Sequence, residues 1–251
     1  MKRAIFGRTA VALLACVAGA ACSPSSTPEP AEPRDAPSAT AWTRPPLIRA
    51  VRRTSDALVF IGQAEPGARV VLRSDTGPAH AAAADDRGHF EIRMAPPAGD
   101  LLLRPETQVG QDSAPSPDLL LIVDGGRGPM AVLRAGGPTR RLDRAPALGA
   151  VDSDGQLRLA SGQAAPGGEP IELQAGGESG RVAPDGTGRW SLVLPPSAGP
   201  DEIRVGGRAF SWPGEGEAGA GFRVERGEAG WRVVWSGPGG GRQTTWLPAV
   251  Q

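Results

Sequence analysis

The chain has 251 residues, and its 27 Lys and Arg side chains are balanced by 27 Asp and Glu side chains. No basic run follows the N-terminal segment, so the electrostatic footprint of a nucleic-acid-binding protein is missing. The 36 glycines and 26 prolines are spread along the whole chain. They disfavour long helices and leave short strands as the expected element.

The first 21 residues are a predicted signal peptide. Basic side chains within 1–8 precede an apolar stretch over 9–21, which is too short to span a bilayer and ends in small residues. The stretch leads into Gly19–Cys22, with the sequence Gly-Ala-Ala-Cys. This motif resembles the bacterial lipoprotein class, in which a small residue precedes an invariant cysteine. Gly19 departs from the leucine which that class prefers.

The lipoprotein resemblance implies that Cys22 carries a palmitate-containing lipid anchor. Ser23 is not the aspartate of the family's inner-membrane retention signal, so the resemblance implies the outer membrane, facing the periplasm or the cell surface. Two alternatives stay open. Leu13–Cys16 matches the preferred motif better but leaves an apolar core of about seven residues. The segment could also be an ordinary cleaved leader.

Residues 22–44 are predicted to be the lipidated cysteine followed by a disordered tether. The segment is rich in Pro and Ser and contains almost nothing apolar before Trp42. It therefore cannot bury enough surface to fold.

An internal repeat of one hundred residues covers the remainder. Gly62–Gly67 (GQAEPG) recurs as Gly162–Gly167 (GQAAPG), and Asp86–Ile92 is answered by Gly186–Leu192 in the same frame. Self-similarity at a fixed period indicates repeated structural units.

Two domains are therefore expected, at 45–145 and 146–251. Within the repeat, Leu121–Asp124 aligns with Phe222–Glu225 after a slip of one residue.

Each unit is expected to form about seven short strands. Phe90, Ile92 and Met94 alternate with polar residues, as an amphipathic strand in a two-layer packing requires. Near the C-terminus three further strands are predicted as a meander. They are Phe222–Glu225, Trp231–Trp235 and Thr244–Leu247.

The repeated motif is Gly-x-Ala-x-Pro-Gly, an alternating strand, then a turn ending in Gly before an aromatic residue. In this order it resembles the bacterial immunoglobulin-like (Big-type) repeats of surface and envelope proteins. The resemblance implies an all-β fold with two tandem immunoglobulin-like β-sandwich domains. Many relatives bind calcium between domains through acidic ends. Neither unit here ends that way, so no calcium or other cofactor is expected.

No catalytic or metal-binding constellation stands out. His80 and His89 are the only histidines, and the chain lacks a Gly-x-Ser-x-Gly elbow, so no enzymatic activity is expected. Asp152 and Asp154 begin like a calcium loop whose later ligands are missing, and a turn is the preferred interpretation. The segment Gly237–Gly241 lacks the lysine of a phosphate loop and is predicted to be a hairpin loop.

Tryptophans are the candidate binding residues. Trp212, Trp231, Trp235 and Trp246 all lie in the second unit, and two of them share one face of a predicted strand. They form either a core or a patch that stacks on sugars or binds protein. Trp190 replaces Phe90 and is assigned to the core.

The expected function is that of a non-enzymatic cell-envelope lipoprotein whose modules act as spacer and protein-interaction surface. Its expected partners are the membrane, through the lipid, and another envelope protein. Binding of peptidoglycan or another glycan through the tryptophans is the alternative. A hydrolase based on two carboxylates has the least support.

Overall fold

The computed structural model describes residues 43–217, 219 and 221–250. The predicted signal peptide, Cys22 and nearly all of the predicted tether lie outside them. Within the described residues every regular element is a strand, apart from one 3-10 turn at Asp124–Gly126. No helix there is long and apolar enough to cross a membrane.

Ten strands lie in each half of this region. The first ten are β1 (Leu47–Arg53), β2 (Leu58–Gln63), β3 (Arg69–Arg73), β4 (His80–Ala83), β5 (His89–Met94), β6 (Leu101–Val109), β7 (Asp112–Pro115), β8 (Leu119–Ile122), β9 (Met130–Leu133) and β10 (Arg140–Arg141). The second ten are β11 (Ala150–Ser153), β12 (Arg158–Gln163), β13 (Ile171–Ala175), β14 (Glu178–Val182), β15 (Arg189–Leu194), β16 (Asp201–Val205), β17 (Arg208–Trp212), β18 (Arg223–Gly227), β19 (Gly230–Ser236) and β20 (Arg242–Pro248).

Each half forms a two-layer sandwich of antiparallel strands. In the first sandwich, sheet β1-β2-β5 faces sheet β10-β9-β8-β6-β3-β4, with β7 paired to β6. In the second, sheet β15-β12-β11-β20-β19-β18 faces sheet β14-β13-β16-β17. The protein is therefore all-β with two tandem immunoglobulin-like β-sandwiches, which confirms the predicted fold class.

Seven strands of each sandwich correspond one to one. The pairings β1-β2-β5 and β4-β3-β6-β8 recur as β11-β12-β15 and β14-β13-β16-β17. The extra strands differ, because β9 and β10 extend one layer of the first sandwich whereas β18, β19 and β20 extend the opposite layer of the second. The prediction of about seven strands per unit is thus correct for the strands that the two units share. Each complete unit has three strands more than predicted.

One part of the sequence alignment was wrong. Residues Leu121–Asp124 begin in β8, whose structural counterpart is β17, whereas Phe222–Glu225 leads into β18 in the other layer. The slip of one residue matched two apolar strands from different sheets. The predicted C-terminal meander is confirmed, since β18, β19 and β20 pair consecutively in antiparallel fashion.

Each sandwich has its own core. The first contains Phe60, Phe90 and Ile92, and the second contains Trp190, Leu194 and Trp212. Alternation along β5 and β15 places Phe90, Ile92, Trp190 and Leu194 between the layers, as the sequence predicted. Strand β10 ends at Arg141 and β11 begins at Ala150, so the predicted boundary between residues 145 and 146 falls in this connection.

A third cluster of buried apolar side chains, the inter-sandwich core, lies between the two sandwiches. It consists of Leu119, Leu121, Val123, Ala131, Leu133, Ala150, Val233, Trp235 and Leu247. In β8, Leu120 and Ile122 enter the first core whereas Leu119 and Leu121 enter this one. Because successive side chains of a strand point to opposite faces, the sandwiches meet face to face.

Candidate functional site

Three of the four candidate tryptophans are core residues. Trp212, Trp235 and Trp246 are at most 1% exposed. An indole without accessible surface cannot stack on a sugar or a partner side chain, so their burial does not support the predicted binding role. Of the predicted set only Trp231 has a partly exposed side chain.

Two of the buried tryptophans stabilise the second core. Trp212 and Trp246 meet edge to face, with ring centroids 6.2 Å apart. Above Trp212 lies the guanidinium of Arg158, which is fully buried and pairs with Asp201 at 2.8 Å. Packing, the alternative that the sequence left open, thus accounts for these side chains.

The shared face of Trp231 and Trp235 turns toward the first sandwich. Trp235 lies in the inter-sandwich core, and Trp231 packs against its rim. The prediction that both side chains lie on one face is therefore confirmed. Across that face, Trp235 contacts the first sandwich of the same chain.

The acidic and histidine candidates occupy turns or strand ends. Asp154 Oδ1 accepts hydrogen bonds from the backbone N–H groups of Gln156 and Leu157, at 2.9 Å each. These bonds lower the pKa of Asp154 and confirm the turn interpretation. His80 begins β4 and His89 begins β5. Among the described residues no group of three potential ligands could hold a metal ion.

Asp152 differs from Asp154 in its burial and in its hydrogen-bond partners. It is buried at the junction of the two sandwiches, where its carboxylate accepts bonds from the Thr139 N–H at 2.7 Å, the Thr139 hydroxyl at 2.6 Å and the Thr245 hydroxyl at 2.7 Å. Burial outweighs these bonds and raises the pKa of Asp152 to about 6. Asp152 and Asp154 therefore do not share a site.

A concave site lies at the junction of the two sandwiches, and we call it the cationic cleft. It has a volume of about 220 Å³, and its apolar wall includes Val132, Pro138 and Trp190. The charged lining residues are Asp118, Arg134, Arg140, Arg141 and Arg189. Both sandwiches contribute to this site, since Arg189 and Trp190 begin β15 and Arg140 lies in β10.

Two arginines of the cleft are neutralised within the chain. Arg141 is nearly buried and pairs with Asp143 at 2.6 Å, and Arg134 lies 3.4 Å from Asp118. Arg140 and Arg189 form no ion pair with any described residue. The cleft therefore carries an excess of positive charge beside an apolar wall, an arrangement suited to an organic anion.

No sequence motif predicted this site. The local signal was present, because four arginines and only one acidic residue fall within 134–144. However, Arg189 and Trp190 lie some fifty residues further on, and nothing in the repeat predicts that β10 and β15 meet.

Comparisons with known proteins give matches to solved structures. No protein-family model matches the sequence, and no curated protein does. One similar solved structure is a Ca²⁺-stabilised adhesin with which an Antarctic bacterium binds ice; identity is 12%, the TM-score is 0.24, and the match covers 83% of this chain and 49% of that one. Another is the central fibronectin-III array of RIM-binding protein, with 14% identity, a TM-score of 0.27 and coverage of 78% and 74%. The chain spans about half the length of the adhesin, and neither similarity assigns it a ligand.

Proposed function

We propose that this chain is a non-enzymatic lipoprotein of the bacterial cell envelope whose two sandwiches form one binding body for another envelope protein. The observation that carries the proposal is the junction. There the inter-sandwich core joins the halves, and an open cleft with unpaired arginines lies beside it. A rigid pair of elements with a preformed cleft loses little entropy when a partner binds.

The same junction favours an interaction surface over a spacer. Modules that serve as spacers gain reach when they are joined end to end. Here the sandwiches bury their faces against each other through β8, β9, β19 and β20. This packing gives up length and gains a composite surface to which both halves contribute.

The membrane anchor is proposed from the sequence. The motif at Gly19–Cys22 resembles a lipoprotein cleavage site, and lipid chains on Cys22 would hold the folded part to the outer membrane. The Pro-rich segment that follows would separate it from the bilayer surface.

Palmitate labelling of the full chain in a bacterial host tests the anchor. Cys22→Ser should lose the label and leave the membrane fraction, because the thioether acceptor is gone. Cys16→Ser is the matched control and should keep both label and location. Labelling lost only in Cys16→Ser would transfer the anchor to Cys16, and no labelling of the unmutated chain would reject the lipoprotein proposal.

Crosslinking tests the binding role. A photoreactive residue at Arg189, on the rim of the cleft, should capture one defined envelope protein in living cells, whereas the same residue at the exposed Arg208 in β17 should not. Equal capture at both positions would contradict a partner site at the junction.

Glycan binding is the second candidate function, and Trp231 favours it. This partly exposed indole has the Arg226 guanidinium 5.8 Å from its ring centroid and borders a shallow groove with Arg127. Trp231→Ala should reduce retention on isolated peptidoglycan, whereas Phe222→Ala, which changes an exposed aromatic residue directly before β18, should not. Unchanged retention of both variants would exclude this candidate.

A further inference from the structure

Two guanidinium groups of the cationic cleft have no carboxylate partner. Arg140 and Arg189 line the cleft, and neither forms an ion pair with a described residue. The other two arginines of the lining are each paired with an aspartate, as described above. The cleft therefore holds two positive charges that no described carboxylate neutralises.

The Arg140 guanidinium is fixed in place by backbone contacts. It donates to the Arg49 carbonyl at 3.0 Å and to the Ile48 carbonyl, and these bonds orient the group without neutralising its charge. Burial, followed by repulsion from Arg189, lowers the pKa of Arg140 to about 10, although Asp118 acts in the opposite direction. A bound anion would relieve that repulsion, because an opposite charge near a partly desolvated cation stabilises it.

The neutral polar groups of the lining are already bonded within the protein. Thr139 donates to Asp152 from its N–H at 2.7 Å and from its hydroxyl at 2.6 Å, and the Ser161 hydroxyl donates to the Thr139 carbonyl at 3.0 Å. The Gln163 side chain donates to a backbone carbonyl and accepts from the Arg49 side chain. The cleft thus offers little that would bond the hydroxyl groups of a sugar or a nucleoside.

Apolar side chains form the rest of the wall. Val132, Pro138 and Ala145 line the cleft, and so does Leu47, which is 44% exposed. A cavity of about 150 Å³ is enough to hold a benzene molecule. The volume of about 220 Å³ therefore accommodates an apolar group of that size with an anionic group at its edge.

We propose that the cationic cleft binds a small phosphate monoester. Its phosphate contacts both Arg140 and Arg189, and the short apolar group joined to that phosphate lies against Leu47. A phosphate monoester carries about −1.5 to −2 charges at neutral pH, which matches two unpaired guanidinium groups better than the single charge of a carboxylate does. Its three terminal oxygens also let two guanidinium groups bind at once. This inference goes beyond the proposed function, because it assigns a small molecule to the cleft in addition to a protein partner at its rim.

The test uses the full-length protein in a non-ionic detergent and phenyl phosphate as the probe. Isothermal titration calorimetry at neutral pH and low salt compares this probe with inorganic phosphate and with benzoate. Phenyl phosphate should bind at least about 5-fold more tightly than either, because inorganic phosphate lacks the apolar contact and benzoate carries a single charge. Added salt should weaken its binding.

Two variants separate the charged part of the site from the apolar part. Arg189→Gln should weaken phenyl phosphate and inorganic phosphate alike, about 5-fold or more, and should leave the fold intact because Arg189 is exposed and has no ion pair. Leu47→Ser should weaken phenyl phosphate about 3-fold or more and leave inorganic phosphate unchanged, because it removes only apolar surface. Arg208→Gln in β17 and Val109→Ser in β6 are the matched controls at exposed positions outside the cleft and should change neither probe.

The inference would be overturned by absence of phenyl phosphate binding, by equal binding of phenyl phosphate and either simpler probe, or by an unchanged affinity in Arg189→Gln. Tighter binding of dihexanoyl phosphatidic acid than of phenyl phosphate would also overturn it, because the ligand would then be a lipid headgroup. Failure of these titrations while the Arg189 crosslink still captures an envelope protein rejects this inference alone. Absence of the crosslink while phenyl phosphate still binds rejects the proposed partner site alone.

Discussion

At the scale of single residues, the least predictable feature is the carboxylate of Asp152. Its three hydrogen-bond donors come from Thr139 in the first half and Thr245 in the last strand, far apart in sequence. Burial removes the carboxylate from water at a cost that the three bonds do not offset, because the pKa still rises to about 6. The buried carboxylate thus bonds to residues of both halves while costing stability at neutral pH.

Asp152 makes the stability of the protein depend on pH. Its pKa is raised from 3.8 in the unfolded chain to about 6 in the folded one, so the folded state keeps a proton that the unfolded state releases. The resulting stabilisation is fully present below about pH 4, is lost as the pH rises through about 6, and amounts to about 3 kcal/mol. Asp152→Asn should lack this term. Relative to the wild type it should therefore gain stability between pH 3.5 and 7.5, as measured by urea unfolding.

Asp154→Asn is the control of opposite sign. Hydrogen bonds from the Gln156 and Leu157 N–H groups lower the pKa of Asp154, so its stabilisation is present above the unfolded pKa and lost as the pH falls. This variant should lose stability relative to the wild type as the pH rises. A pH-independent difference between Asp152→Asn and the wild type would contradict a raised pKa.

The sequence is sufficient to predict the contacts that a side chain makes within its own turn. Asp85 and Asp185 occupy corresponding turns of the two repeats, and each accepts bonds from the N–H groups two and four residues further on. Local spacing determines these contacts. The partners of Asp152 and the convergence of Arg140 with Arg189 depend on packing between strands that are distant in sequence, and no local pattern encodes it.

At the scale of elements, the repeated glycine of the Gly-x-Ala-x-Pro-Gly motif has a packing role. A side chain at Gly62 would place its Cβ 2.7 Å from Phe90 Cε1 and closer still to the Leu47 carbonyl. At Gly162 the Cβ would lie 2.5 Å from Trp190 Cζ2. An aromatic ring of β5 or β15 therefore covers each glycine, which explains why the glycine and the aromatic residue recur together.

Alanine at either position should destabilise its sandwich. Gly62→Ala and Gly162→Ala force a methyl group against a ring and a backbone carbonyl, with an expected loss of about 2–3 kcal/mol in the free energy of unfolding. Gly99→Ala and Gly186→Ala are the matched controls, since nothing lies within 4 Å of their added Cβ. Denaturant titration should find these controls within about 0.5 kcal/mol of the wild type. Equal losses in all four variants would contradict the packing role.

The elements that the sequence predicted least well lie outside the repeat. Shared strands were recognised because both copies carry the same turns and the same alternation. Strands β9 and β10 have no counterpart in the second copy. Strand β18 was aligned with β8 of the first copy, although the two strands lie in different layers. Strands β9, β19 and β20 supply five of the nine residues of the inter-sandwich core, and β9 and β10 form part of the cationic cleft. Comparing two copies therefore shows the common sandwich and conceals what joins them.

At the scale of the whole molecule, the described residues form four stacked layers with an apolar core between each adjacent pair. Two-layer sandwiches with separate cores were expected from the repeat, and both are present. The inter-sandwich core was not expected, because the pattern of Val233 and Trp235 is equally compatible with the interior of the second sandwich. A side-chain period of two shows which residues share a face, but not which sheet that face meets.

The inter-sandwich core should make the two sandwiches unfold together. Trp235 lies in it, 1% exposed, and donates from Nε1 to the Thr245 hydroxyl at 3.1 Å; Leu121 enters the same cluster from β8. Trp235→Ala should cost about 3–5 kcal/mol, whereas Val193→Ala, whose side chain is 56% exposed, should cost little. Hydrogen exchange during a urea titration should report one transition for β1–β8 and β11–β17 in the wild type, and two in Trp235→Ala.

A double-mutant cycle separates coupling from simple loss of stability. Leu121→Ala and Trp235→Ala lie in different sandwiches, so two independent domains would give losses that add. Because both side chains belong to one cluster, the double variant should lose less than the sum, with an interaction free energy of about 0.5–3 kcal/mol. Strict additivity, or separate transitions in the wild type, would mean that the halves behave as independent modules. The cationic cleft would then lack the fixed geometry that a partner site between them requires.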